Sequence, residues 1–395
     1  MIYRDKIAAA FEARREEFIR FNSETALEAA LYRDAIDRVS GLDRSGLASL
    51  LKDAAAPGAL PTADFDRAKG MIIAFDAEWR NHEEARDWAY HKLLGRTTFA
   101  ADGSQILPTK DVSVPVAAVQ VGWFENRHTP GGGYVKDAAF EVLAPSEITG
   151  GSGVALAVSE QAVHRRRYAL ETSAIRHYML AQAERGFDPE SPPVVFFDSL
   201  LVISFAETFT PESQQFYVNE ITSLLDTSEK TGIPLIGYVD TSFARDLAVM
   251  LQTAMGLPVS HKVSDASILS PRMRWGDRTA YFLCARQGIL DSYGEAWRRG
   301  IGFFYLGTST DARPARIDIP AWVYERGLLD YVADTVRAEV VAGNGYPYPL
   351  ETADVTAVLT ARDREVFYAM FQEFARRQQL EMRIARKALS KSHRR

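Results

Sequence analysis

Residues 194–203 read VVFFDSLLVI. Such a nearly continuous apolar run is typical of a strand that is covered on both faces of a sheet. We expect this strand to extend from Val194 to Phe205, followed by a helix near residues 213–231 and a second strand at residues 234–239. The alternation of strand and helix indicates an α/β fold with a buried sheet.

The sequence on both sides of this run extends the prediction. Hydrophobic periodicity and Pro and Gly breakers predict an N-terminal helical region, then a meander of strands, then further strands and helices. The predicted helices lie at residues 2–21, 23–39, 44–54, 65–94, 159–183, 243–255 and 330–341 and from residue 363 onward, and the predicted strands lie at residues 112–123, 138–143, 279–285, 301–307 and 316–319.

The composition is that of an ordinary globular protein, with 395 residues, 47% hydrophobic side chains and a formal net charge of -6. The single cysteine, Cys284, excludes an internal disulfide framework and a cysteine-ligated zinc site, and its apolar surroundings predict a core thiol. The first residues lack the apolar stretch of a secretory signal, and no segment approaches the roughly 18 apolar residues of a membrane span. We therefore expect a cytoplasmic protein without a membrane partner.

The C-terminal residues 376–395 differ in charge from the rest of the chain. They carry eight Arg or Lys side chains and one acidic side chain, Glu381. A tail of this kind either holds phosphates electrostatically or is a solvated helix end with a frayed terminus.

Residues 98–108 read TFAADGSQILP and contain one carboxylate, Asp102, before Gly103 and Ser104. Because glycine permits a sharp turn, we expect the chain to turn here at a strand end and to present Asp102 to a cleft as a metal ligand. The alternative is an ordinary hairpin or capping turn.

Two further acids lie where stability alone would not place them. Asp198 interrupts the apolar run, and because a buried unpaired carboxylate is costly it should bind a cation, pair with a base or emerge at the strand end. Glu171 shares one face of its predicted helix with Tyr168 and Ile175, which indicates an inward side chain. It also follows Arg167 by four residues, so a simple helical ion pair is the equal alternative.

Asp102, Glu171 and Asp198 come from a strand, a helix and another strand, and we expect them to converge on one site. Oxygen ligands without cysteine select a hard divalent ion such as Mg²⁺ or Mn²⁺, whose natural reaction class is phosphodiester hydrolysis. Other chemistries lack their motifs: the Gly-rich segments do not end in the Lys-Ser/Thr of a phosphate-binding loop, and no Gly-x-Ser-x-Gly or His-Glu-x-x-His pattern occurs.

Several motifs resemble those of the NurA nuclease family, the DNA-end-processing partners of the HerA hexameric translocase. The resemblance covers most of the chain from about residue 70. It is carried by DGSQI at residues 102–106 with Pro108, VQVGW at 119–123, the Arg167-x-x-x-Glu171 helix, FDSL at 197–200, GYV at 237–239 and GYPYPLETA at 345–353.

The resemblance implies an RNase H-like mixed sheet flanked by helices, with an additional helical N-terminal region. We predict a nuclease domain at residues 69–375 and a basic tail at 376–395. The length and apolar stripes of the N-terminal helices, residues 1–68, suit dimer or partner contacts. A Mn²⁺ or Mg²⁺ cofactor, a DNA substrate, a homodimer and a HerA-type hexameric ATPase as partner are also implied.

The resemblance further implies that Asp102, Glu171 and Asp198 hold the metal ion and that Tyr346 orients substrate or water. Many relatives have a histidine eight residues after this tyrosine, where the present chain has Asp354. A carboxylate can ligate Mn²⁺ or Mg²⁺ as imidazole can, although it cannot shuttle protons near neutral pH in the same way. We therefore expect Asp354 as a further ligand.

The predicted function is that of a metal-dependent deoxyribonuclease in DNA end resection and repair. The family activities implied are 5′-to-3′ exonuclease action on single- and double-stranded DNA and endonuclease action on single strands. Two alternatives stay open: a catalytically weak NurA-like clamp or regulatory subunit of a HerA complex, in repair or phage defence, and an RNA-directed nuclease of the wider RNase H-like group.

Overall fold

The computed structural model describes residues 3–68, 70–150, 157–309 and 313–383. Contacts between Cα atoms divide the chain into two compact units, one of Met1–Glu78 with Tyr238–Ala321 and one of Trp79–Gly237 with Trp322–Arg395. The N-terminal helices thus share a unit with a later segment that the sequence had placed in the nuclease domain. Most of the predicted basic tail, residues 384–395, lies outside the described residues.

The described residues form helices and strands in alternation along most of the chain. The helices are α1 Arg4–Glu12, α2 Arg15–Val39, α3 Arg44–Leu51, α4 His82–Leu93, α5 Pro145–Ile148, α6 Glu160–Arg185, α7 Pro211–Thr231, α8 Asp246–Met255, α9 Asp265–Leu269, α10 Gly294–Arg298, α11 Ala321–Glu325, α12 Leu329–Ala342, α13 Tyr348–Ala357 and α14 Ala361–Arg377. The strands are β1 Gly58–Pro61, β2 Ile72–Ile73, β3 Thr98–Ile106, β4 Ala117–Asn126, β5 Tyr134–Leu143, β6 Thr149–Gly150, β7 Ala157–Val158, β8 Val194–Phe197, β9 Leu235–Val239, β10 Arg278–Thr279, β11 Phe282–Ala285, β12 Ile301–Leu306 and β13 Ala315–Pro320.

The sheet of the second unit has the order β9-β8-β3-β4-β5. Strands β3, β4 and β5 form an antiparallel meander, and β3, β8 and β9 pair in parallel. Helices α6 and α13 pack on β3 and β4. A three-strand meander that continues into parallel strands is the RNase H-like arrangement, so the predicted fold class is confirmed.

The first unit contains antiparallel strands in the order β1-β11-β12-β13, and β10 pairs with both β12 and β2. Cys284 of β11 is buried, and burial raises the pKa of its thiol. The predicted core thiol is therefore confirmed. Within the described ranges, no helix is long and apolar enough to cross a membrane.

Two N-terminal predictions are wrong in their boundaries. The first helix ends at Glu12 and the second begins at Arg15, whereas the predicted break lay at residue 22. Ser23 lies inside α2, where its hydroxyl donates to the Ile19 carbonyl at 2.9 Å. The helix predicted at residues 65–94 is reduced to α4, and Asn81 caps its start by accepting hydrogen bonds from the backbone N–H groups of residues 83 and 84.

Candidate functional site

Asp102 lies in the middle of β3 and not at a turn. The strand continues through Gly103, and Asp102 pairs with Gly122 of β4. A Cβ atom added to Gly103 would lie 2.8 Å from Cγ of Arg167 and 3.2 Å from Oε2 of Glu171. The glycine is therefore required by the close approach of α6, and the prediction of a turn is wrong.

Asp198 follows directly after the last residue of β8 and is exposed. The last pair of the parallel register is Ala100 with Phe196, and Asp102 and Asp198 follow two residues later in their segments. They are close enough for the charge of Asp198 to raise the pKa of Asp102. The strand predicted to reach Phe205 ends at Phe197. Of the three outcomes expected for Asp198, it emerges at the strand end.

Glu171 combines the two alternatives derived from the sequence. Its side chain is buried on the inward face of α6 with Tyr168 and Ile175. Nη1 of Arg167 also donates to Oε2 of Glu171 at 2.9 Å and to the carbonyl of Gly103 at 3.3 Å. The arginine therefore joins Glu171 to the strand that carries Asp102.

Helix α13 carries Asp354 and packs against the meander. Nε2 of Gln120 donates to the carbonyls of the last two residues of α13, both at 3.1 Å. A Cβ atom on Gly122 would lie 2.6 Å from the backbone nitrogen of Ala357, so the helix end touches the strand directly. Asp354 lies one turn before this contact and is exposed.

Tyr346 precedes α13 and contacts the cluster through Asp198. Its hydroxyl donates to Oδ1 of Asp198 at 3.0 Å. Tyr346 is therefore in direct contact with the second aspartate motif, and its expected role of orienting substrate or water stays a prediction.

The four acids, Asp102, Glu171, Asp198 and Asp354, form one electrostatic group that we call the carboxylate cluster. Burial raises the pKa of Asp102 to about 6, the nearby Asp198 and Asp354 add to this rise, and the backbone N–H of Gly103 and the charge of Arg167 oppose it. Burial and the neighbouring anions favour the protonated form of this carboxyl. A nearby cation would favour the ionised form.

The pKa values of Glu171 and Asp198 are raised as well. Burial raises the pKa of Glu171 to about 8, with Arg167 opposing the rise and Asp102 and Asp198 adding to it. Loss of surrounding water also raises the pKa of Asp198, the hydrogen bond from Tyr346 opposes the rise, and Asp354 adds to it.

The donor set of the cluster fits a hard divalent ion, because it offers only carboxylate oxygens that repel one another. Neighbouring residues on a strand point to opposite faces, so Asp102 is on the face of α13 while Gly103 faces Glu171 and α6. As the side chains stand, no three Asp, Glu, His or Cys residues in the described parts of the chain are arranged to hold a metal ion. Binding would therefore require rotation of carboxylates toward the end of β8.

A family model of the NurA domain matches residues 96–359 of the chain. The chain belongs to the NurA family. All five residues that the sequence assigned to the site lie inside the matched region. This part of the chain is accordingly a NurA-family nuclease domain.

Among solved structures, the chain is similar to NurA with manganese, at 9% identity over 70% of this chain and 89% of that chain with a TM-score of 0.40. It is similar to NurA bound to dAMP and manganese, at 9% identity over 67% and 85% of the two chains with a TM-score of 0.34. The catalytic domain of human endonuclease V matches at 16% identity over 77% and 93%, with a TM-score of 0.32. No curated protein sequence gives a significant match.

The sequence analysis did not identify the polar residues that hold the C-terminal end of α13 and the residues just after it. Ser104 accepts a hydrogen bond from the backbone N–H of Leu359 at 3.1 Å, and Gln120 holds the end of α13. A signal was present, because Gln120 is a polar residue inside the apolar strand β4, whose neighbours Val119 and Val121 are buried.

Proposed function

We propose that this NurA-family protein is a Mn²⁺- or Mg²⁺-dependent deoxyribonuclease that hydrolyses phosphodiester bonds. The observation that carries the proposal is the placement of Asp102, in the middle of β3, near Asp198, which follows the end of the parallel strand β8 inside the NurA domain. Glu171 and Asp354 act electrostatically on the same pair from two different helices.

Asp102, Glu171, Asp198 and Asp354 would hold the ion. When bound, such an ion neutralises charge on the phosphate and activates water. The hydroxyl of Tyr346 donates to the carboxylate of Asp198, and in this proposal Tyr346 would orient substrate or water.

Arg167 is a positioning residue in this proposal. Its guanidinium stabilises the ionised form of Glu171, whose burial would otherwise favour protonation. The same group donates to the Gly103 carbonyl, and thereby keeps α6 close to the strand of Asp102.

The finer assignments follow from the family resemblance. They are 5′-to-3′ exonuclease activity on single- and double-stranded DNA, endonuclease activity on single strands, a homodimer, and action with a HerA-type ATPase in DNA end resection. A catalytically weak clamp is the second candidate. It is favoured by the fact that, in the described ranges, no three potential ligands are arranged for a metal ion as they stand.

The deciding experiment compares cleavage of labelled single-stranded DNA, double-stranded DNA and RNA in Mn²⁺ and in Mg²⁺. We expect the wild type to cleave DNA, and Asp102→Ala and Asp198→Ala to lose more than about 100-fold of the rate, since loss of an outer-shell partner alone costs ~10–100-fold. Asp137→Ala, which removes an exposed carboxylate from β5, is the matched control and should cleave normally.

Three other results would each exclude part of the proposal. Equal cleavage by the wild type and both site variants would show that the carboxylate cluster is not the active site. A wild type that binds DNA but does not cut it, even with a HerA-type ATPase present, would favour the clamp. Faster cleavage of RNA than of DNA would identify an RNA-directed nuclease.

A further inference from the structure

An exposed aromatic residue, Phe205, follows the strand that ends just before Asp198. It belongs to a short 3₁₀ helix, Ser204–Thr208, and is 44% exposed, whereas the next residue, Ala206, is buried. Single exposed apolar side chains are common on protein surfaces, so exposure alone identifies no site. The contacts of Phe205 and its position distinguish it from such residues.

The ring of Phe205 is held by other aromatic rings. Its centroid lies 5.4 Å from that of Tyr217, 6.0 Å from that of Phe209 and 6.3 Å from that of Tyr168. The interplanar angles are 82°, 65° and 68°, the edge-to-face geometry that stabilises aromatic pairs. Because these contacts hold the ring while nearly half of the residue stays exposed, a ligand that stacks on it would cost the protein little rotamer freedom.

This aromatic group reaches the carboxylate cluster through Tyr168. Tyr168 is buried, and its ring lies 6.1 Å from the ring of Phe197, the residue directly before Asp198. On α6, Tyr168 is three residues before Glu171 and is buried on the same face. Phe205 is therefore separated by one side chain from the segments that carry these two acids.

Cationic side chains lie beside the same aromatic group. Burial raises the pKa of Tyr217, and the charges of Arg167 and Arg165 oppose this rise, so both guanidinium groups lie near its ring. The guanidinium of Arg165 lies 5.9 Å from the ring of Phe216. Its Nη1 is 3.7 Å from Oε1 of Glu212, which is too long for a hydrogen bond. Arg165 therefore has hydrogen-bonding capacity for a phosphate.

We propose that Phe205 is a stacking platform for an unpaired base of the substrate DNA, with Arg165 as a contact for a phosphate of the same strand. A fixed aromatic ring beside a cation is the combination found on surfaces for single-stranded nucleic acid, because every base has a π face and every nucleotide a charge. A base inside a duplex is already stacked on its neighbours, and exposing its face costs unpairing and unstacking. The platform thus favours unpaired strands. The inference rests on the proposed nuclease function and names the residue that would set its substrate preference.

The test measures stacking directly, with short single-stranded DNA in which the fluorescent base 2-aminopurine replaces one base at a time. Stacking on an aromatic ring quenches this fluorescence, and EDTA prevents cleavage during the measurement. We expect the wild type to quench the fluorescence at one position counted from the strand end. Phe205→Leu keeps an apolar side chain but has no π face, so it should lose this quenching and bind the DNA at least about fivefold more weakly.

Two matched variants and one altered substrate control the measurement. Phe205→Trp restores a π face and should restore the quenching. Phe374→Leu makes the same change at a phenylalanine of similar exposure, 47%, on α14, and should bind as the wild type does. DNA with an abasic residue at the quenched position should bind to the wild type and to Phe205→Leu equally, because the base that would stack is missing.

Cleavage kinetics and salt dependence test the two residues separately. In Mn²⁺, Phe205→Leu should raise the KM for single-stranded DNA by at least about fivefold with little change in kcat, since a stacked base is bound in the ground state and the transition state alike. The KM for blunt duplex DNA should change less. Arg165→Gln should lower the slope of log affinity against log salt concentration by about 0.7, the loss of one phosphate contact on a single strand.

A wild type that quenches 2-aminopurine at no position would overturn the inference, and so would Phe205→Leu that binds normal DNA as tightly as the wild type does. The outcome is separable from that of the nuclease proposal. A chain that stacks a base on Phe205 but never cleaves DNA would contradict only the nuclease. A chain that cleaves DNA with the same KM in Phe205→Leu would contradict only the platform.

Discussion

At the scale of single residues, Gly103 shows that the carboxylate cluster depends on the close packing of α6 against β3. Glycine is needed here because Arg167 and Glu171 of α6 occupy the volume of a side chain, and not because of a positive φ. The Asp-Gly pair of the motif therefore combines a carboxylate on one face of β3 with a close helix contact on the other.

We predict that Gly103→Ala lowers the free energy of unfolding by about 1–3 kcal/mol, because the added methyl group overpacks the contact with Arg167. Displacement of the Arg167–Glu171 pair should also reduce DNA cleavage. Urea denaturation and a cleavage assay in Mn²⁺ measure the two effects. Gly131→Ala is the control, since no atom lies within 4 Å of the added Cβ, and it should change stability by less than about 0.5 kcal/mol.

Glu339 of α12 is a buried acid outside the carboxylate cluster. Its Oε1 accepts a hydrogen bond from the hydroxyl of Thr98 at 2.7 Å and lies 3.3 Å from Nε2 of His128. Burial raises the pKa of Glu339 to about 8, with the Thr98 bond opposing the rise, and burial also lowers the pKa of His128. Both groups are therefore neutral near pH 7, and the protonated acid can donate to the imidazole.

This acid makes folding stability depend on pH. The folded chain keeps a proton on Glu339 up to about pH 8, while the unfolded chain releases it near the ordinary value of 4.5, so stability falls as the pH rises between these values. The slope is at most about 1.4 kcal/mol per pH unit. Urea denaturation of Glu339→Gln and wild type at unit steps across this range should show the variant gaining stability relative to the wild type as pH rises. A difference that does not change with pH would contradict the prediction.

At the scale of elements, the sequence predicted the helices and strands that are defined by their own local pattern of apolar residues. Helices α6 and α7 and strands β9, β12 and β13 lie within a few residues of their predicted positions, because apolar periodicity and terminal Gly or Ser residues define them. The strand β3 was interpreted as a turn because the Asp-Gly-Ser run has turn chemistry. Pairing with β4 and β8 overrides that local preference.

Helix α13 was not predicted as a helix, although its sequence was recognised as a family motif. The residues that hold it, Gln120 and Gly122, are more than two hundred positions away along the chain. A contact of this kind leaves no periodic signal in the helix itself. The convergence of Asp354 on Asp102 and Asp198 was for the same reason available only from the family resemblance.

We predict that Gly122→Ala displaces the C-terminal end of α13, because its Cβ would lie 2.6 Å from the backbone nitrogen of Ala357, and backbone moves less readily than a side-chain tip. Gly122→Ala should then require a higher Mn²⁺ concentration than the wild type to reach the same cleavage rate. Asp354→Ala should show the same increase. Gln120→Ala removes two hydrogen bonds without adding an atom and should give a smaller change. Cleavage with an unchanged Mn²⁺ dependence in Gly122→Ala would show that α13 does not position the site.

At the scale of the whole molecule, the N-terminal region exposes an apolar surface. Residues 3–24 of α1 and α2 form an arm in which every residue is exposed. The arm includes Phe11 at 63%, Phe18 at 60% and Phe21 at 57% exposure. The sequence predicted dimer or partner contacts for residues 1–68, and the arm is an exposed part of that region.

Deletion of residues 1–22 should therefore leave the fold, the dimer and DNA cleavage intact, because the first buried side chain of this region is Ala29. Binding to a HerA-type ATPase, measured by co-sedimentation, should fall by at least about tenfold, since exposed aromatic anchors dominate such contacts. The paired substitution of Phe11→Ser with Phe18→Ser retains the length of the arm and should have the same effect. A truncated chain that binds the ATPase normally would exclude the arm as its contact. A truncated chain that becomes monomeric would show instead that the arm contributes to the dimer interface.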